Sequence, residues 1–180
     1  MITIFLANGF EMIEALTPCD ILKRAGADVK LVSITDSLTV TSTHGVAVAC
    51  DLTLAELDLN SLEMLILPGG LPGADNLYQS EALREMLLAA SEKGLPIAAI
   101  CAAPYILGEL GILKCRAATC YPGFESRLHG ANVKTAGVVT DGNIVTGKGM
   151  GVSLPFSLAL VELLYGEDKK NAIAAQIMAK

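Results

Sequence analysis

Two short runs, Ile2-Thr3-Ile4-Phe5-Leu6-Ala7 and Leu95-Pro96-Ile97-Ala98-Ala99-Ile100, are apolar at almost every position, with no polar alternation. A strand of that kind has no face to offer water, so both its faces must be covered, as in a parallel sheet between helix layers. The rest of the chain fits this demand. Apolar residues make up 52% of it and charged ones only 18%, and strand and helix patterns alternate over most of the length. The order predicts an α/β fold, a three-layer sandwich with a mainly parallel sheet. At 180 residues the chain fits one domain spanning residues 1–180, large enough to bury about two thirds of its unfolded surface. No internal repeat, linker or low-complexity segment interrupts it.

Local signals place the elements. Glu11 to Ala25 has a helical pattern, with Glu11 and Glu14 in its first turns, Lys23-Arg24 in its last, a kink expected at Pro18 and Gly26 closing it. Val29 to Ile34 reads as a strand, and Thr39 to Cys50 as a hairpin turning at His44-Gly45. A strand over Glu63 to Leu67 runs into Pro68-Gly69-Gly70-Leu71-Pro72-Gly73, a loop dense in turn residues that no immediate helix follows. Ser80 caps a helix to about Glu92. A helix to about Leu110 follows Cys101, and Arg116 to Thr119 is a candidate strand. Val133–Val139 and Asn143–Thr146 flank the hairpin signal Thr140-Asp141-Gly142. Helices over Ser153–Tyr165 and Glu167–Met178 are split by Gly166.

Charge and cysteine usage narrow the function. A formal net charge of −6 disfavours nucleic acid, whose phosphates demand a basic surface. The five cysteines, at 19, 50, 101, 115 and 120, are odd in number and lack the spacing of a disulfide framework. Cys115 and Cys120 have no histidine partners nearby, and His44 and His129 are far apart, so no metal site is expected. No stretch of roughly 18 apolar residues is free of charges and breakers, and no basic region precedes Ile2. A cytoplasmic location without membrane insertion is expected.

Ligands of parallel sheets bind beyond the strand C-termini, where three loops should meet: Asn8–Glu14, Pro68–Gly73 and the turn at Cys101. The run Ile97-Ala98-Ala99-Ile100 ends abruptly on Cys101 and helix formers begin at once. A thiol on such a strand-to-helix elbow faces unpaired N–H groups and the positive end of a helix dipole, which favour the nucleophilic thiolate. Gly69, Gly70 and Ala102 are candidate oxyanion or substrate donors, because backbone amides approach closely where no Cβ intervenes. Glu14, one turn into its helix, can point across the strand ends toward Cys101. Two charges there would repel, so Glu14 is expected either to be protonated and donate to the sulfur or to act as a base toward substrate. Glu11 reads as a helix-start acid, and His129 and His44 as surface residues.

Five segments in order, Ala7-Asn8-Gly9-Phe10-Glu11-Met12-Ile13-Glu14, Pro18 to Gly26, Leu67-Pro68-Gly69-Gly70-Leu71-Pro72-Gly73-Ala74, Ala98-Ala99-Ile100-Cys101-Ala102-Ala103-Pro104 and Thr146-Gly147-Lys148-Gly149-Met150-Gly151, resemble the ThiJ/PfpI superfamily, in the branch of the Parkinson-disease-linked protein deglycase. The resemblance covers nearly the whole chain. It implies a flavodoxin-like sandwich of the class I glutamine amidotransferase type, a homodimer, Cys101 as nucleophile and redox centre, Glu14 as its carboxyl partner, and Gly70 and Ala102 as donors. Tyr121 stands where relatives carry an active-site histidine, and His44 where they carry an arginine that reaches the partner's site; both are accessory candidates. Tyrosine is a poor base near neutral pH, which leaves Glu14 as the base. The protease-like branch has histidine directly after the cysteine, so Ala102 argues against peptidase activity. The function implied is a cofactor-independent glyoxalase or deglycase acting on a small aldehyde, such as methylglyoxal, or on a glycated substrate. The alternative is an oxidative-stress-responsive, chaperone-like protein with Cys101 as redox sensor.

Overall fold

A computed structural model describes residues 1–179. The apolar runs become the centre of a sheet. In chain order the elements are β1 (Ile2–Leu6), α1 (Met12–Arg24), β2 (Val29–Ser33), β3 (Thr39–Thr41), β4 (Ala47–Ala49), β5 (Leu52–Thr53), β6 (Met64–Leu67), α2 (Gly73–Gln79), α3 (Glu81–Glu92), β7 (Ile97–Ile100), α4 (Pro104–Glu109), β8 (Ala117–Ala118), β9 (Asn132–Val133), β10 (Val138–Asp141), β11 (Ile144–Gly147), α5 (Ser153–Tyr165) and α6 (Glu167–Gln176). Seven strands form one sheet in the order β10-β11-β7-β6-β1-β2-β5. Every neighbouring pair is parallel except the β10–β11 hairpin.

Side-chain alternation explains why these strands carry no polar face. Ile2, Ile4 and Leu6 of β1 pack with Ala98 and Ile100 of β7 against Leu22, Phe156 and Leu160 on one side of the sheet. Phe5, Ile97 and Ala99 face the other side, against Leu77, Leu83, Leu87 and Leu107. Helices α1, α5 and α6 therefore cover one face, and α2, α3 and α4 the other. Truncating one such buried leucine, Leu22 or Leu87, to alanine costs about 2–5 kcal/mol.

Several elements differ from the sequence reading. Helix α1 runs through Pro18 without a break, because one missing N–H removes a single bond of a ladder that core packing otherwise holds. The loop Pro68–Gly73 leads straight into α2, which the turn residues concealed and which the buried Ala74 and Leu77 hold in place. The helix after Cys101 is short: Cys101–Ala103 form a turn and α4 begins only at Pro104. The run Val133–Val139 is two strands, with β9 pairing β8 in a separate two-stranded sheet.

Strand β1 lies between β2 and β6, so chain connections run off in opposite directions beyond its C-terminal end, where parallel sheets open a crevice. The loops after β1 and β6 are laced there: Glu11 N–H donates to the Gly69 carbonyl (2.9 Å) and Gly73 N–H to Gly9 (3.2 Å). The β3–β4 hairpin clamps the first loop from outside, with Gly9 N–H donating to Thr41 and Thr43 N–H to Phe10. Among the described residues, no helix is long and apolar enough to cross a membrane.

Candidate active site

Cys101 directly follows β7 in the left-handed region, at φ 65°. A residue with a Cβ is held there at a cost of about 1–2 kcal/mol, so the surroundings must fix it. They do so from both sides: its N–H donates to the Gly147 carbonyl (2.9 Å) and its carbonyl accepts from Tyr121 N–H (2.7 Å). Buried Thr146, a polar residue in an apolar strand, accepts the N–H of Thr119 (2.9 Å). That bond ties the segment carrying Tyr121 to the end of β11.

Glu14 reaches the sulfur from α1 and is 1% exposed. Its Oε2 accepts the Gly69 N–H at 2.9 Å, while Oε1 is buried with no hydrogen-bond partner. Carboxyl and thiol are close enough to shift each other's titration, although no well-aligned bond joins them. Gly69 makes this approach possible. A Cβ there would stand 2.7 Å from both Cys101 Cβ and Glu14 Oε2. Its role differs from the expected one: its amide is committed to Glu14, so it orients the carboxyl rather than serving an oxyanion. The amides of Ala102 and Gly70 lie near enough to the sulfur to pull its titration downward. Gly70 has φ 87°, and a Cβ on it would meet Glu11 N at 2.5 Å, so only glycine presents that amide.

The electrostatics correct the expectation of a thiolate at rest. Burial, then the Glu14 charge, pushes the Cys101 thiol up to about 12, outweighing the two amide donors. The short α4, which starts three residues later, adds little dipole. Burial also pushes Glu14 up to about 7. At neutral pH the carboxyl is therefore divided between its two forms. When it holds a proton, the charge opposing the thiolate is gone and its O–H becomes a donor beside the two amides. The pair can thus move one proton between oxygen and sulfur.

The other candidates sit around this pair. Tyr121 is 50% exposed, joined to Cys101 through its backbone. His44, at the tip of the β3–β4 hairpin, is mostly exposed, with Nδ1 3.9 Å from Glu11 Oε2. Glu11 caps α1 by accepting the Ile13 N–H, in keeping with a helix-start acid. His129 lies on the surface 3.3 Å from Glu109. A cluster that the sequence did not suggest fastens the segment after Tyr121 to α4: the Arg127 guanidinium lies 3.5 Å from the Tyr105 ring centroid and donates to Glu109 (2.8 Å), while the Tyr105 hydroxyl donates to Asp75 (2.7 Å). A second omission is an apolar groove beside Tyr121, walled by Pro122, Met150 and Val152. Its signal was the alternating glycines of Gly147-Lys148-Gly149-Met150-Gly151. All five cysteines are free, and no group of three or more metal-ligating side chains occurs among the described residues.

Comparison with known proteins places the chain in a family. The model of the DJ-1/PfpI family matches residues 1–163. Protein DJ-1 homolog B of Arabidopsis thaliana is 40% identical over 165 residues, 91% of this chain but 38% of the plant protein, so the chain spans less than half the length of that relative. A protein named as a deglycase in Pyrococcus horikoshii is 34% identical over 79% of this chain and 86% of its own. The solved structure of oxidized Toxoplasma gondii DJ-1 superposes with a TM-score of 0.94 at 34% identity, covering 98% of this chain and 97% of that one. The chain belongs to the DJ-1/PfpI family.

Proposed function

We propose that the protein is a cofactor-independent glyoxalase or deglycase in which Cys101 attacks reactive carbonyls such as methylglyoxal. The observation that carries this reading is the coupling of Cys101 to Glu14, with the Gly70 and Ala102 amides at the sulfur. The Glu14 carboxylate takes the thiol proton as sulfur adds to the aldehyde carbon, and the amides hold the oxyanion until Glu14 returns the proton to it. Glu14 then removes the proton from the former aldehyde carbon and delivers it to the adjacent carbonyl carbon. The first carbon is oxidised to a thioester and the second is reduced to an alcohol. Water releases the hydroxy acid and restores the thiol, so no outside oxidant or reductant is consumed. In a deglycase reaction the same thiol acts on the hemithioacetal that a dicarbonyl forms on another protein. Lactate formation from methylglyoxal should fall to the buffer rate in Cys101→Ser; wild type with no rate above buffer would refute the reading.

The unpartnered Glu14 Oε1 favours a second reading, a redox sensor. Protonated, it would donate to an oxygen of a Cys101 sulfinate formed by peroxide. Mass spectrometry after mild peroxide should place two oxygens on Cys101 before the other four cysteines, and even oxidation of all five would count against it. Under either reading we expect a homodimer in the cytoplasm. Ile21 and Leu22 of α1 are buried in the core and cannot face a partner. Ile13 and Leu16, both more than a third exposed, are the apolar residues α1 offers instead, and the His44 hairpin is a second candidate.

A further inference from the structure

Tyr105 is fully buried, and phenylalanine would fill the same space, so packing alone does not call for its hydroxyl. That hydroxyl donates to Asp75 Oδ1 at 2.7 Å, with the Ala74 carbonyl at 3.3 Å as a second acceptor. Burial, then the Asp75 carboxylate, raises the phenol, which keeps its proton for this bond. The bond joins two helices that start close to the reactive centre. Tyr105 is the second residue of α4, and its N–H donates to the Ala102 carbonyl at 3.1 Å. Asp75 is in the first turn of α2, where Ala74 N–H donates to the Gly70 carbonyl at 2.8 Å. Ala102 and Gly70 are the residues whose amides lie near the Cys101 sulfur. The ring is braced as well: Tyr78 of α2 meets it edge-on and Phe124 stacks on it, while the Arg127 guanidinium lies 3.5 Å from its centroid. Phe124 and Arg127 continue the segment whose Tyr121 N–H holds the Cys101 carbonyl.

We propose that Tyr105 is a positioning residue, whose hydroxyl bond to Asp75 spans α4 and α2 and sets how closely the Ala102 and Gly70 amides converge on Cys101. The inference rests on the reaction proposed above, in which those amides hold the oxyanion, and names what holds the amides. Two donors on separate loops act together only if their separation is fixed before the charge develops. Main-chain bonds fix each loop to its own helix. The Tyr105 hydroxyl fixes one helix to the other, and among the described residues no other hydrogen bond joins α2 to α4. Neither Tyr105 nor Asp75 is among the groups that perturb the thiol, so their effect on it passes through the backbone.

The test follows alkylation of Cys101 by iodoacetamide as a function of pH in wild type, Tyr105→Phe, Asp75→Ala and Asp75→Asn. Mass spectrometry of the Cys101 peptide keeps the exposed Cys115 out of the measurement. Tyr105→Phe retains the ring and Asp75 is only partly buried, so the fold should survive each exchange, and the melting temperature checks this. In Tyr105→Phe and Asp75→Ala the loosened amides should hold the thiolate less well. The pH–rate line then moves to higher pH, and alkylation at any one pH slows by about three- to tenfold. Asp75→Asn keeps an acceptor oxygen and should restore the wild-type line; a line as displaced as that of Asp75→Ala would overturn the proposal. With methylglyoxal the loss should fall on kcat and leave KM, since the oxyanion is absent from the ground state. A lower melting temperature with an unmoved pH–rate line in Tyr105→Phe and Asp75→Ala would show a merely structural bond and overturn the proposal, as would faster alkylation in either. The alkylation arm needs no turnover, so the two readings fail separately. A wild type that forms no lactate, while Tyr105→Phe still slows alkylation, would overturn the carbonyl activity and keep Tyr105 as the residue that positions the amides.

Discussion

Cys101 and Cys115 have nearly the same backbone, both non-glycine residues in the left-handed region at φ 65° and 62°, and they share almost nothing else. Cys115 is exposed in a turn after α4, its N–H donating to the Gly130 carbonyl at 2.8 Å. Cys101 stands where three loops converge on the ends of β1, β6 and β7, with Glu14, Gly69 and the Gly70 and Ala102 amides gathered around it. The strain is common to both cysteines, so strain does not make a site. What distinguishes Cys101 is that two segments distant in the chain, one carrying Glu14 and one carrying Gly69 and Gly70, have been brought to its sulfur.

The sharpest way to break this comparison is by substitution at the neighbouring glycines. Gly69→Ala should destabilise the fold by about 3 kcal/mol and abolish Cys101 reactivity, because its Cβ meets Cys101 Cβ, Glu14 and the Ile100 carbonyl, none of which can retreat. Near Cys115, Gly130→Ala meets only the Lys114 side chain and backbone, no nearer than 3.3 Å; its cost should be about 1–2 kcal/mol, from the φ of 74°. Denaturant melts of the two variants check the ordering, and equal costs would remove the claim that Gly69 is a spacer.

A pH series tests the carboxyl half of the site. Glu14 is raised to about 7 in the folded state from the ordinary carboxylate range near 4.3 when unfolded. Between these values the folded protein binds more protons than the unfolded one, so stability falls as pH rises through that window. The loss reaches at most about 4 kcal/mol by pH 8. Glu14→Gln should remove that slope, being more stable than wild type at pH 8 and little different at pH 4. It should also lower the Cys101 thiol pKa, since the carboxylate charge is one cause of its elevation. Iodoacetamide should then react faster with the variant at pH 8, while lactate formation is lost. A variant with slower alkylation would contradict the coupling.

Two smaller effects belong to Cys115. Cys115→Ser should leave lactate formation at the wild-type rate. Cys115→Gly should raise stability by about 1 kcal/mol or less, as release from the left-handed penalty is partly offset by glycine's greater freedom when unfolded.

The central strands were legible because β1, apart from Thr3, and β7 are apolar on both faces, a pattern that a covered sheet satisfies. Helix α5 was legible to its last residue because Gly166, at φ 85°, stops it. Helix α2 was not: it begins on Gly73 among turn residues, and its stability comes from burying Ala74 and Leu77 rather than from local propensity. The two-residue strand β5 is created by distant pairing and leaves almost no periodicity to read, whereas β8 was legible within Arg116–Thr119 and β9 only as the start of the run Val133–Val139. At the site, the cysteine elbow and the Gly70 loop carried local signatures. The raised thiol did not, because it follows from burial beside Glu14, and neither burial nor that distance is encoded by spacing.

Tyr121 is fixed by its own N–H to the Cys101 carbonyl and by the neighbouring Thr119 N–H on Thr146, not by its ring. Position 121 can therefore exchange its side chain while the main chain goes on gripping the nucleophile. The protein has a built-in place to try new chemistry beside an unchanged sulfur, and a saturation library at this one codon would sample reactivities without first having to rescue folding.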